Sequence, residues 1–155
     1  MTADQRMEHF SEAEALALVG TVPFGRIVFS RFALPAVHVV NFKLDGRDIV
    51  FRTRKGSMFA AGVADTVVAF EVDRIDERAR TGWTVTFLGR AKLVTDPAEK
   101  ERLAGLGIDT WAPGERNYFI KITTQTVVGR RIPHADDDTD HGKDGKDGND
   151  GEGGN

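Results

Sequence analysis

The sequence predicts a mainly β domain with short helices, its six antiparallel strands rolled into a barrel. Three observations carry this. Most of the chain's body falls into runs rich in Val, Ile, Phe and Thr, residue types that suit a pleated, half-buried surface. The breaks between runs are mostly short, and one of them is Asp45-Gly46, a strong hairpin signal between two β-rich stretches. Six strands in succession would also leave unpaired edges, and closing the sheet removes them.

Taken in order, the body opens with a helix. Ser11 and Glu14 form an S-x-x-E capping box, Phe10 stands where a hydrophobic staple sits, and AEALALV stops at Gly20. GRIVFSRF is the first strand, and PAVHVVNFKL follows after a short break as the second. The Asp-Gly turn leads into RDIVFRT, the third. A short helix is expected over 57–62, before the strand TVVAFEVD. An acidic and basic loop precedes the long strand GWTVTFLGRAKLV; a capped helix at DPAEKERLAGLG leads to the last strand, NYFIKITTQTVVGRRI.

The 155 residues suffice for one domain with a real core. Residues 1–133 are expected to form it and 134–155 to be a disordered acidic tail. The tail holds eight acids against two lysines, a charge of −6, so the body carries +3 of the overall −3. It has no apolar residue beyond Ala135 to offset its ordering entropy. Its glycines recur every third residue from Gly142 to Gly154, but so few triplets without proline do not hold a collagen helix. An EF-hand register from Asp136 fails because His141 stands where glycine is needed. The body is too weakly basic to argue for nucleic acid.

There is no cysteine, which excludes disulfides, thiol chemistry and Cys-based zinc sites, and fits a reducing compartment. The opening MTADQRMEHFSEAE lacks the apolar core of a secretory signal, and no apolar run reaches membrane-spanning length. A cytoplasmic location with no membrane partner is the expectation. No metal site is expected either: of the four histidines, His134 and His141 lie in the tail, His9 stands apart, and His38 sits within a strand beside Val40 and Phe42. G-x-S-x-G, Walker A, G-x-G-x-x-G and H-E-x-x-H are all missing, so catalytic side chains are not identifiable. If the protein is an enzyme, the chemistry belongs to a bound cofactor.

FRTRKGSMF, residues 51–59, is the stretch that suggests which one. Alternation puts Ile49, Phe51 and Thr53 on one face and Val50, Arg52 and Arg54 on the other. The strand ends in cations, Arg52, Arg54 and Lys55, just before Gly56-Ser57, where a helix is expected to begin. A guanidinium, hydroxyls from Thr53 and Ser57, and the free amides of a helix start suit a phosphate monoester. A solvated charged turn is the plainer alternative.

The order FGRIVFS, PAVHVVNF, a D-G turn, IVFRT-x-x-GS, VAFEVD, GWTV-x-x-x-GRA and GRRI resembles the pyridoxamine 5′-phosphate oxidase-like flavoproteins, and more narrowly their small actinobacterial-type branch. The resemblance covers roughly residues 8 to 132. It implies a six-stranded split barrel binding FMN at a homodimer interface. By that resemblance Val39, Val40, Asn41 and Phe42 lie along the isoalloxazine ring. Arg52 and Thr53 meet the phosphate, with Ser57 and Met58 beside them. Trp83 and Thr84 approach the flavin from the second subunit, and Arg130 and Arg131 are weaker candidates. Trp83 fits a core or dimer-contact aromatic equally well, and Trp111 fits a pocket shield or a simple loop residue.

Met58 is a departure, because the family commonly has lysine there. Losing one charge-assisted contact costs about 1.5–3 kcal/mol, roughly ten- to hundredfold in affinity. Lys55 or Arg54 can offset that loss through the same turn. The departure otherwise points to weak FMN binding, another flavin such as deazaflavin, or none. The resemblance still makes the expected function an FMN-dependent oxidoreductase of unknown substrate and electron donor. A deazaflavin-dependent reductase, a non-enzymatic flavin or tetrapyrrole binder or sensor, and a cofactor-free barrel module are the alternatives.

Overall fold

Alternation of buried and exposed side chains organises the computed structural model, which describes residues 8–54, 63–111 and 117–132. In chain order the elements are β1 (Glu8–His9), α1 (Glu12–Val19), β2 (Phe24–Arg31), β3 (Leu34–Asn41), β4 (Lys43–Asp45), β5 (Asp48–Thr53), β6 (Thr66–Asp76), β7 (Thr81–Leu93), α2 (Pro97–Ala104) and β8 (Tyr118–Ile132). The helix expected over 57–62 and the tail from 134 lie outside the described residues. Among these residues no helix is long and apolar enough to cross a membrane.

Every strand pairing is antiparallel, in the order β3-β2-β6-β7-β8-β5-β4, with β1 added against β8. Against six expected strands, the sheet path among the described residues has seven. The run PAVHVVNFKL is cut at Phe42, the single residue between β3 and β4. The Phe42 amide donates to the Pro23 carbonyl at 3.3 Å, and its ring packs edge-on against Phe70 at 5.1 Å. The chain thus leaves the β2 ladder and joins β5 on the far side. The two outermost strands of the path are joined by one residue, so the sheet has to curl until its edges meet there.

Phe51, Phe70 and Phe87 are fully buried inside the curl, with Ile27, Ile49, Ile120 and Ile122. Burial of such a side chain contributes about 1.5–3 kcal/mol each. A second cluster lies outside the sheet, where Val50 and Phe119 meet Val94, Leu103 and Ile108. It explains why β5 is apolar on both faces: Ile49 and Phe51 point inward, Val50 points under α2. Arg102 of α2 forks onto Asp45 at 2.9 and 2.7 Å, and Lys121 joins the same carboxylate at 3.0 Å. Both helices begin as their sequences imply, Ser11 accepting from the Glu14 amide and Asp96 from the Glu99 amide.

On the outer face Arg26 bridges two carboxylates of β6, Glu71 at 3.1 Å and Asp73 at 2.8 Å. Burial, and then the neighbouring Asp73, push the Glu71 carboxyl up to about 7, with Arg26 acting in the opposite sense. The folded chain therefore holds this proton at pH values where the unfolded chain, with an ordinary value of 4.5, has released it. Stability should fall as pH rises from about 4.5 to about 7 and level off above. Asp45 works the other way: hydrogen bonds from Arg102 and Lys121 hold its carboxyl well below the usual range, so that contribution is lost in acid. Melting temperatures of the wild type between pH 5 and 8 should decline, and Glu71→Gln should flatten the decline. An unchanged slope in that variant would assign the pH dependence elsewhere.

Candidate functional site

β5 carries the first side chain of the site. Arg52 is two residues beyond Val50 on the same outward face, and its guanidinium reaches the Ile108 carbonyl at 3.4 Å. The outer end of β5 is thereby tied to the segment that follows α2. The other wall comes from β3, whose Phe24↔Asn41 and Gly25↔Val40 pairings bring its last residues beside the start of β2. Between the two walls is a cleft of about 160 Å³, lined by Val39, Val40, Asn41, Arg52, Thr110, Trp111 and Phe24.

Asn41 organises one end of this cleft. Its amide nitrogen donates to the Pro23 carbonyl at 3.3 Å, and its side-chain oxygen accepts from the Trp111 amide at 3.0 Å. The Trp111 ring packs at 5.5 Å, tilted by 57°, on Phe24. Asn41 and Trp111 also border a second cavity of about 420 Å³, floored by Val22 and Phe42 with Lys43 and Asp109 at its mouth. Chemically, the smaller cleft offers a cation, a stretch of strand backbone and an aromatic pair. A planar, anionic molecule matches that set.

The model of the pyridoxamine 5′-phosphate oxidase family matches residues 11–131. The chain belongs to this family. Its relatives include the uncharacterized protein Rv0080 of Mycobacterium tuberculosis, 38% identical over 125 residues that make up 77% of this chain and 81% of that one. Among solved structures it resembles a conserved protein of unknown function, DIP1874, from Corynebacterium diphtheriae, at 29% identity and a TM-score of 0.71, covering 83% of this chain and 99% of that one. The FAD binding protein of Mycobacterium smegmatis shares the fold at 24% identity and a TM-score of 0.65, with 82% and 99% covered.

Of the residues the family resemblance singled out, the structure gathers Val39, Val40, Asn41 and Arg52 into one cleft. Phe42 does not join them through its side chain: it is 3% exposed and belongs to the core. Thr53 lies on the opposite face of β5 from Arg52, 1% exposed among the interior residues, so the two side chains diverge. Trp83 and Thr84 likewise part. Trp83 packs on the core, whereas Thr84 lines an outer-face cavity with Thr86, Val128 and Arg130. Arg131 points away from Arg130, its guanidinium 4.8 Å from the Phe10 ring centre. Ser57 and Met58 lie outside the described residues. Phe24 and Thr110 complete the cleft without any sequence signal, since only the folded chain brings the segment after α2 against the start of β2.

Proposed function

We propose that this member of the pyridoxamine 5′-phosphate oxidase family is an FMN-dependent oxidoreductase whose flavin lies between two copies of the chain. The observation that carries the reading is Arg52, which faces a cleft whose opposite wall is the β3 edge at Val39, Val40 and Asn41. A guanidinium at the end of such a strand gives a phosphate two parallel donors, and the strand's backbone gives a ring edge its hydrogen bonds. A bound flavin supplies the hydride and electron chemistry itself. The chain's own residues have to hold the phosphate, fix the ring and limit water.

Two features support a second copy. The cleft at Arg52, at about 160 Å³ and apart from the adjoining cavity beyond Asn41, is smaller than the roughly 300 Å³ at which small-molecule pockets begin, which fits a site completed by a second chain. The outer face of β3, β6, β7 and β8 also exposes Val37, Val39, Val67, Leu88 and Val128 together. These side chains flank the Arg26, Glu71 and Asp73 ion pairs on the same face, a mixed apolar and charged surface that suits a second copy of the chain. In the dimer, Thr84 and Arg130 on that face are the groups offered to the partner's flavin.

The FAD-binding relative of the same fold supports a second reading, in which the flavin is FAD, and the lysine-to-methionine departure at Met58 fits a grip that does not rely on a terminal phosphate alone. Titration with FMN, FAD and a deazaflavin, followed by absorbance and by light scattering on a sizing column, separates these. The expected result is oxidised-flavin absorption travelling with a species of twice the chain mass, FMN bound most tightly, and bleaching under anaerobic reduced nicotinamide or another low-potential donor. Tighter FAD binding replaces the cofactor. A bound flavin that a chemical reductant bleaches but reduced nicotinamide leaves oxidised supports a carrier. A folded chain that takes up none of the three overturns the reading.

A further inference from the structure

Trp111 combines two properties that rarely coincide: it is 65% exposed, and it is pinned. A surface indole ordinarily gains nothing from being held in place. Here the backbone amide of Trp111 is fastened to the Asn41 oxygen at 3.0 Å, and its ring rests on Phe24. Asn41 cannot turn over without losing both of its bonds, because its oxygen must face the Trp111 N–H while its nitrogen faces the Pro23 carbonyl. Arg52 fastens the same segment three residues earlier, at Ile108. The cation of the cleft and its indole are therefore set by one short stretch, 108–111, tied at both ends.

We propose that Trp111 is a ring-contacting residue of the cofactor cleft and that Asn41 is the residue that positions it. The proposal rests on the flavin reading and names a group that the family motifs do not contain. The chemistry favours it. An indole is electron-rich and an isoalloxazine electron-poor, so face contact holds the oxidised ring and quenches its emission by electron transfer. Stacking of a planar heterocycle on an aromatic side chain is lost on truncation to alanine at a cost equivalent to roughly five- to hundredfold in affinity. Because most of the indole is exposed to solvent, replacing it leaves the core intact.

The test is a fluorescence titration of FMN into the wild type and into Trp111→Ala, Trp111→Phe and Asn41→Ala, with a thermal melt of each. Wild-type protein should bind FMN with strongly quenched flavin emission. Trp111→Ala should bind about tenfold more weakly and emit several-fold more per bound flavin, with an unchanged melt. Trp111→Phe should recover much of the affinity but little of the quenching, since benzene is a poor electron donor. Asn41→Ala should reproduce the emission of Trp111→Ala although the indole is still present, a change that loss of structure alone does not produce. Wild-type affinity and quenching in Trp111→Ala would overturn this assignment while leaving the flavin reading standing. A wild type that binds no flavin would overturn both.

Discussion

Arg52→Ala should weaken flavin binding about ten- to hundredfold, the equivalent of about 1.5–3 kcal/mol for one hydrogen-bonded charge, while the protein stays folded. The side chain is only half buried, and its hydrogen bond to the Ile108 carbonyl, at 3.4 Å, is long. Its guanidinium also stands over the Phe119 ring, 5.7 Å from the ring centre, so its removal uncovers part of that ring while Val50, Val94, Leu103 and Ile108 keep their mutual packing. Arg52→Lys should recover part of the loss, because an ammonium supplies the charge without the two-pronged donor geometry. If the phosphate is what Arg52 holds, the loss should shrink for riboflavin, which lacks that group. Isothermal titration with FMN and riboflavin checks this, and equal losses for the two ligands would assign Arg52 to the ring or to the segment after α2 instead. Thr53→Ala is informative for the opposite reason. Its side chain is buried on the other face of β5, so its substitution should act on stability before affinity.

Among the described glycines, Gly89→Ala should be the most damaging single methyl. Gly89 lies at the point where the β7–β8 register slips: Leu88 pairs with Thr126 and Gly89 with Thr124. A Cβ there would come within 2.2 Å of the Thr123 carbonyl oxygen and 2.8 Å of its carbon, both backbone atoms that cannot rotate aside. Overpacking a core by a methyl costs about 1–3 kcal/mol, and a clash with backbone belongs at or above the top of that range. Gly46→Ala provides the contrast. Gly46 has a positive φ of 63°, but a Cβ there would meet no atom within 4 Å, so its cost should be the left-handed backbone alone, about 1–2 kcal/mol. Chemical denaturation of the two variants measures the difference. Comparable losses would mean that the bulge relaxes readily.

Where the sequence was legible, local chemistry dominated. The two capping motifs, the apolar alternation of β6 and β7, and the opposite orientations of Arg52 and Thr53 all follow from neighbours within a few residues. The Asp-Gly signal placed its hairpin correctly, although the loop centres on Gly46-Arg47 because Asp45 and Asp48 still pair. The β2–β3 turn gave no signal. Phe32 and Ala33 occupy it at φ values of 49° and 61°, where Asn or Gly is the usual choice. The break at Phe42 was also silent, since an apolar residue between two β-rich runs reads as more of the same strand. At the site, β3 and Arg52 were legible as positions along strands. Phe24, Thr110 and the pinning of Trp111 were not, because they depend on contacts between residues about 70 or more positions apart.

The corner at Phe42 ties ligand chemistry and core packing into one reading frame. Asn41 borders the cleft, Phe42 is in the core, and Lys43 is exposed again. Deleting one residue there would present a benzyl ring to the ligand and bury an amide, so this stretch can change its letters far more freely than its length.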